Sequence, residues 1–201
     1  MSKALSNRLI VGISGASGVI YGVRLLEALR HTDVETHLVV SRAARITLAH
    51  EMDMSLDGVQ RLADVVHNPD DIGASLSSGS FRTMGMVVAP CSIRSLSEIA
   101  HGVTSTLLTR AADVVLKERR RLVLMLRETP LHRGHIESML RVTDMGAIVA
   151  PPVPAFYARP RSLDEMVDHS VGRVLDLFGI DSDLVRRWKD NTPAGADVQD
   201  A

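Results

Sequence analysis

An arginine and a carboxylate leave one apolar run side by side: Arg127-Glu128-Thr129-Pro130 follows Leu122 to Leu126. In open α/β sheets, ligands bind at the carboxyl ends of strands. The pair therefore reads as an anion clamp beside a proton donor or acceptor. The turn Gly12-Ile-Ser-Gly-Ala-Ser-Gly18 follows another short apolar run and supplies a second anion site. Glycines let a phosphate approach the backbone, and the free N–H groups of a following helix favour negative charge. Ser14 and Ser17 add hydroxyl donors. Two phosphate sites with an acid between them point to group transfer from one phosphate ester to another.

Other segments refine this chemistry. Gly12, Gly15, Gly18 and Gly22 approach the spacing of a dinucleotide fingerprint without matching it. A dinucleotide site wants Asp or Glu after the second strand, and this chain has Ser41-Arg42. That argues against NAD and leaves a mononucleotide such as FMN; glycines serving packing alone are the bland alternative. In Pro90-Cys91-Ser92-Ile93-Arg94-Ser95 a strand passes into a helix, with Ser92 suited to cap it. The N–H groups there suit a flavin carbonyl, with Arg94 along the ring edge, while Cys91 reads as a small buried hydrophobe.

Arg110 and Asp113 share a helix face, and Lys117 lies two turns from Arg110. Lys117 fits a solvated role and a functional one equally, whereas Arg119, Arg120 and Arg121 read as a solvated charged face. Tyr157 follows a strand, and Arg173 sits on the last helix beside Gly172, which permits close packing. Arginine binds phosphate bidentately, but spacing does not show whether Lys117, Arg127, Tyr157 and Arg173 converge. His132 and His135 have no evident third metal ligand, and His135 reads as a hydrogen-bonding residue at a helix start. Asp164, Glu165 and Asp168 suit the dipole at the start of the final helix. No metal site and no P-loop are expected.

The elements that must position these groups alternate. Strands are expected at Leu9 to Ile13, Glu35 to Val40, Met84 to Ala89 (stopped by Pro90), Leu122 to Leu126 and Ala147 to Ala150. Helices are expected at Val19 to Leu29, Ala43 to His50, Ile93 to Ala100, Leu107 to Arg119, His135 to Val142 and Leu163 to Phe178. Met52 to Asp71 reads poorly, with a possible helix from Leu56 to Val66, and Ser75 to Ser80 reads as a loop. The alternation indicates an α/β fold: a three-layer, Rossmann- or flavodoxin-like parallel sheet with helices on both faces.

Composition narrows the function classes. Hydrophobic residues at 45% and charged residues at 23% fit a globular domain. A net charge of -1 and 3% aromatics give neither the basic face nor the stacking platforms of a nucleic-acid binder. One cysteine allows no intrachain disulfide. No targeting pattern opens the chain and no apolar run is long enough to cross a bilayer. A cytoplasmic protein with no membrane partner is the expectation.

With these residues in hand, the chain resembles the UbiX-like flavin prenyltransferase family along nearly its whole length. The matching segments are Gly15-Ala-Ser-Gly18 with Tyr21-Gly22, Met86 to Ser92, Arg110 to Arg119, Leu122-Val-Leu124 with Arg127-Glu128, Pro154-Ala-Phe-Tyr157 and Val171-Gly-Arg173. The resemblance implies a metal-independent prenyltransferase that joins a dimethylallyl group from dimethylallyl monophosphate to N5 and then C6 of reduced FMN. The product, prenylated FMN, serves UbiD-like decarboxylases, and the enzyme is a homo-oligomer, often a dodecamer. The matching positions place FMN on Gly15, Ala16, Ser17, Ser41, Ser92, Ile93, Arg94, Ser95 and Arg127. They place the prenyl phosphate on Lys117, Arg127, Tyr157 and Arg173, and an acid/base role on Glu128. Glu51 and Trp188 match further active-site positions. Residues 1–190 are then one flavin-binding domain and 191–201 a polar, frayed tail. Ser138 and the segment Val103-Thr104-Ser105 depart from the family pattern. Two rivals remain: an accessory subunit of a phenolic-acid decarboxylase, and a cysteine-decarboxylase-type flavoprotein, which favours a different loop from Cys91-Ser-Ile-Arg-Ser95.

Overall fold

The computed structural model describes residues 7–185 and residue 187. The chain divides into two compact units, Met1–Pro152 and Val153–Ala201. The first unit holds six strands: β1 (Arg8–Ile13), β2 (Glu35–Val40), β3 (Val65–His67), β4 (Gly85–Cys91), β5 (Arg121–Leu126) and β6 (Ile148–Val149). Its helices are α1 (Ile20–Leu29), α2 (Arg42–Glu51), α3 (Leu56–Gln60), α4 (Ile93–Ala100), α5 (Leu107–Lys117) and α6 (Arg133–Asp144).

The sheet is parallel throughout, in the order β3-β2-β1-β4-β5-β6. Strands of a parallel sheet are covered on both faces and read as unbroken apolar runs, as Leu9 to Ile13 and Met86 to Ala89 do, all but Gly12 and Ala89 being large or branched. Alternation along each strand sends Ile10, Met86, Val88, Leu122 and Leu124 into one core with Leu96, Leu107, Leu108, Ala111 and Val142 of α4, α5 and α6. Ile13 and Ala89, one residue out of step, face Gly22 of α1, where any Cβ would strike the Ala89 carbonyl. Helices thus cover both faces, as expected. Brought side by side by this order, β1 and β4 form the switch point, whose carboxyl end is the crevice where such folds take ligands.

Several boundaries differ from expectation. Pro90 does not stop its strand: β4 runs on through a cis Ala89–Pro90 bond to Cys91. A helix over Leu56 to Val66 is replaced by the short α3 and the edge strand β3. α5 ends at Lys117 rather than Arg119, and α6 extends to Arg133–Asp144. Ser75–Ser77 makes a 3-10 turn inside the expected loop. Arg120 is not solvated. Its side chain is 17% exposed, and its guanidinium donates to the carbonyls of Phe81 (2.7 Å) and Gly79 (2.6 Å), tying that loop to the start of β5.

The second unit carries a 3-10 turn at Phe156–Ala158 and α7 (Leu163–Asp176). Ser162 caps α7 by accepting the Glu165 N–H, and Asp164 and Glu165 lie in its first turn. Gly172 packs closely against Leu184 and Val185. The expected tail, 191–201, lies outside the described residues. Among the described residues no helix is long and apolar enough to cross a membrane.

Candidate active site

Three loops leave the carboxyl ends of β1, β4 and β5, and they are stitched together by a few hydrogen bonds. Ser14, 1% exposed, is the first stitch: its hydroxyl donates to the Pro90 carbonyl (2.8 Å) and accepts the Ser92 N–H (2.7 Å). It is thus a structural clip rather than a free donor for ligand. The Arg127 N–H donates to the Cys91 carbonyl at 3.0 Å, joining the β5 loop to β4. The Arg127 Nε donates to the Ser17 carbonyl at 3.2 Å, joining the β5 loop to the glycine-rich turn. Ser92 caps α4 by accepting the Ser95 N–H, which fixes the start of that helix at the crevice.

Between these loops lies a cavity of about 630 Å³. Its walls bring together Gly15, Ala16 and Ser17 from β1, Ser92, Ile93 and Arg94 from β4, and Arg127 and Glu128 from β5. Such a volume matches pockets that enclose small organic ligands. Gly15 lies so near Ala43 that a Cβ would collide with its methyl group, so the turn folds flat against α2 only with glycine there. Gly18 has φ +100°, in the region that favours glycine. The first N–H groups of α4 have no partner within the helix, and the residues at that start, Ser92, Ile93 and Arg94, line the cavity. A flat, polar-edged ring with a phosphate tail fits this set: backbone donors, hydroxyls and two guanidiniums around a partly apolar floor.

The charge at the glycine-rich turn is arranged differently from expectation. The N–H groups of Gly18 and Val19, at the start of α1, are taken by one oxygen of Glu51, at 2.8 and 3.2 Å. The anion at that helix start is therefore the chain's own carboxylate. Burial pushes the Glu51 carboxyl up, but the Ser17 hydroxyl, the two N–H groups and the Arg127 charge outweigh it and hold it below its usual range. Glu51, Ser17 and Arg127 thus form one linked group beside the cavity. Glu128 is exposed, and one of its oxygens accepts the N–H of its neighbour Thr129 at 3.0 Å.

The remaining site residues lie elsewhere. Ser41 caps α2 by accepting the Ala44 N–H. Ser95 meets the Ser92 hydroxyl at 3.1 Å. Neither lines the cavity. Lys117 ends α5, ahead of the first residue of β5, at the opposite end of the sheet; it is ion-paired with Glu118. Tyr157 and Arg173 belong to the second unit, where the Tyr157 hydroxyl lies 3.2 Å from His169 Nε2 and Arg173 pairs with Asp176. Trp188 lies outside the described residues. Cys91 is fully buried, which pushes its thiol up to about 12 and leaves it unreactive. His132, not His135, caps its helix, accepting the Gly134 N–H. Ala43, Leu126, Thr129, Pro151 and Pro152 also line the cavity and were not foreseen. Thr129 and the two prolines lie within three residues of strand ends, which was the available signal.

Comparison with known proteins agrees with this geometry. A family model described as Flavoprotein matches residues 2–175. The chain is 63% identical over 185 residues to the flavin prenyltransferase UbiX of Escherichia coli K12, covering 90% of this chain and 98% of that one. A solved structure of AnUbiX (PadA1) in complex with FMN and dimethylallyl pyrophosphate superimposes with a TM-score of 0.89 at 50% identity, over 90% of this chain and 96% of the other. The dodecameric FMN-dependent Ubix-like decarboxylase of Escherichia coli O157:H7 gives 0.89 at 51% identity, over 90% and 99%. The chain belongs to the flavoprotein family and, within it, to the UbiX-like flavin prenyltransferases.

Proposed function

We propose that this protein transfers a dimethylallyl group from dimethylallyl monophosphate to reduced FMN, yielding prenylated FMN. The observation that carries the reading is the cavity at the β1–β4 switch point, where Arg127 and Glu128 meet the Gly15–Ser17 turn and the capped start of α4. Its walls suit FMN: Gly15, Ala16 and Ser17 on one side, Ser92, Ile93 and Arg94 on the other, with Ser41 and Ser95 holding the helix starts behind them.

Reduced FMN supplies the two nucleophilic positions, N5 and C6, that become bonded to prenyl carbons. The proton balance defines the protein's task. One C–O bond breaks, N5 and C6 each give up a proton, one proton goes to the prenyl double bond and one to the departing phosphate. Glu128, on the cavity rim, moves protons. Arg127 stabilises the negative charge left on phosphate, and the Glu51–Ser17 pair is set to orient groups at the turn. In this reading Lys117, Tyr157 and Arg173 complete the phosphate site. Lys117 stands at the far end of the sheet, so it serves the cavity of a neighbouring subunit in a homo-oligomer of the dodecameric kind. Trp188 is assigned to the substrate side by family match alone. The product passes to a UbiD-like decarboxylase. One buried thiol and no disulfide suit the reducing cytoplasm.

The test is direct. Protein mixed anaerobically with reduced FMN and dimethylallyl monophosphate should release a flavin heavier by one prenyl unit in mass spectrometry. An unchanged flavin, with the protein folded and FMN bound, rejects the reading in favour of an accessory role.

A further inference from the structure

A second cavity, of about 440 Å³, lies between α4 and α6 and shares Ile93 and Arg94 with the first. Its polar lining is dominated by donors: Arg94, His101, His132, His135, Ser138 and Arg141. Glu137 is its one carboxylate among the described residues, and Arg133 already holds it at 2.6 Å.

Hydrogen-bond accounting shows what is left over: Arg94 gives its Nε–H to Glu98 at 2.8 Å and keeps only its terminal N–H groups. His132 Nδ1 accepts the Gly134 N–H, so in the neutral ring the proton sits on Nε2, ready to donate. His101 Nδ1 lies 2.8 Å from the Ser97 carbonyl, which can only accept. His135 stacks on His132 with ring centres 3.5 Å apart, and its Nδ1 is shielded from solvent without a partner. Ser138 is 6% exposed, and its hydroxyl makes no hydrogen bond among the described residues. Arg141 likewise has no hydrogen bond or ion pair among them. Buried polar groups are normally satisfied, so the unpartnered hydroxyl of a nine-tenths-buried residue on the cavity wall points to an occupant.

Donors from two helices, with one spoken-for acceptor, call for an anion. The positive end of α6 adds to them. A carboxylate presents two oxygens in one plane and satisfies one guanidinium fork. A tetrahedral dianion presents oxygens in all directions and suits donors arriving from both helices. We propose that the α4–α6 cavity is a second anion site, for a phosphate dianion, distinct from the flavin cavity. Inorganic phosphate and the phosphate end of a small monoester share this chemistry. The inference rests on the cavity alone and survives if the transferase reading fails.

The test follows the histidine ring signals of the full-length protein by nitrogen-15 NMR in phosphate-free buffer, with FMN bound so that the first cavity is filled. Inorganic phosphate should shift His132 and His135 saturably. Arg141→Gln, on an exposed residue that the fold does not need, should weaken that binding about tenfold or more, as loss of a charged hydrogen bond does. A parallel titration with dimethylallyl monophosphate identifies the source: saturation by the ester alone assigns the site to a monoester, and saturation by both assigns it to free phosphate as well. Absence of a saturable shift with either probe, or unchanged affinity in Arg141→Gln, overturns the proposal.

Discussion

At the amino end of the sheet, Glu35 lies 2.8 Å from His37 Nε2 and 3.2 Å from Arg8, while His37 Nδ1 lies 2.9 Å from His67 Nε2. Arg8 sits over the Phe81 ring, and Arg120 holds the Phe81 carbonyl. At the carboxyl end, Glu128 accepts from the N–H of its own neighbour, and Arg127 reaches one backbone carbonyl. The residue types are the same at both ends; their satisfaction is not. Polar groups that partner one another lose little on folding and fix a frame. Groups left facing a cavity keep their hydrogen-bonding capacity for a ligand. The frame at one end thereby frees the other end to be incomplete.

Three experiments sharpen or break this contrast. The largest effect is expected at Glu128. Glu128→Gln keeps the shape of the side chain and its exposed setting, so folding and FMN binding should persist, while turnover falls by ~10²-fold or more, as for other lost acid–base groups. Near-normal turnover, measured by flavin mass against time, removes Glu128 from the chemistry and blurs the distinction between the two ends.

The next effect separates two arginines. Arg120→Met strands the carbonyls of Gly79 and Phe81 and should cost about 2–3 kcal/mol of stability. Arg127→Met should cost under about 0.5 kcal/mol, as exposed substitutions do, yet weaken FMN binding. Urea midpoints and flavin fluorescence titrations read the two quantities. Equal stability losses would mean that Arg127 belongs to the frame as well.

These two arginines also show what the sequence conveys. Arg127 stood out because a charge directly after five apolar residues has one sensible place, the mouth of a parallel sheet. Arg120 lies in a run of three arginines, where nothing local marks the one that turns inward. The buried strands β1, β4 and β5 were legible because burial on both faces forces long apolar runs, whereas β2 shows only the short run Leu38 to Val40. β3 was not: it has three residues and pairs with β2 alone, so its pattern merged with the preceding helix. Pro90 was read as a strand end because proline removes a ladder donor, yet the strand continues through it. The Gly15–Ser17 and Ser92–Arg94 loops declared themselves by composition. The plug of Glu51 against the Gly18 N–H did not, because the two residues are 33 positions apart and meet only through the fold. Lys117 shows a related limit: its spacing on α5 did not reveal that it stands at the amino end of the sheet, paired with Glu118.

The smallest effect tests the amino-end frame by pH. Burial, and then the neighbouring His37, hold the His67 pKa below its usual 6.5, with Asp71 opposing them. The unfolded chain therefore takes up a proton at a higher pH than the folded one. The share of stability linked to His67 is full above about 6.5 and declines as pH falls below it. The facing carboxylates act in a separate window. Hydrogen bonding to His37 and the Arg8 charge hold Glu35 low against its slight burial, and the Thr36 N–H and hydroxyl hold Asp64 low. Their contribution is full above their unfolded values and is lost only in more acidic solution. Urea midpoints should thus fall between about pH 7.5 and 5.5 in the native protein. His67→Gln keeps a group able to meet His37 Nδ1 but cannot titrate, so it should flatten that part of the profile and leave the acid limb below about pH 4.5 in place. An unflattened profile would show that the His37–His67 contact bears no proton-linked share of the frame, and the contrast between the two ends would then rest on Arg120 and its loop.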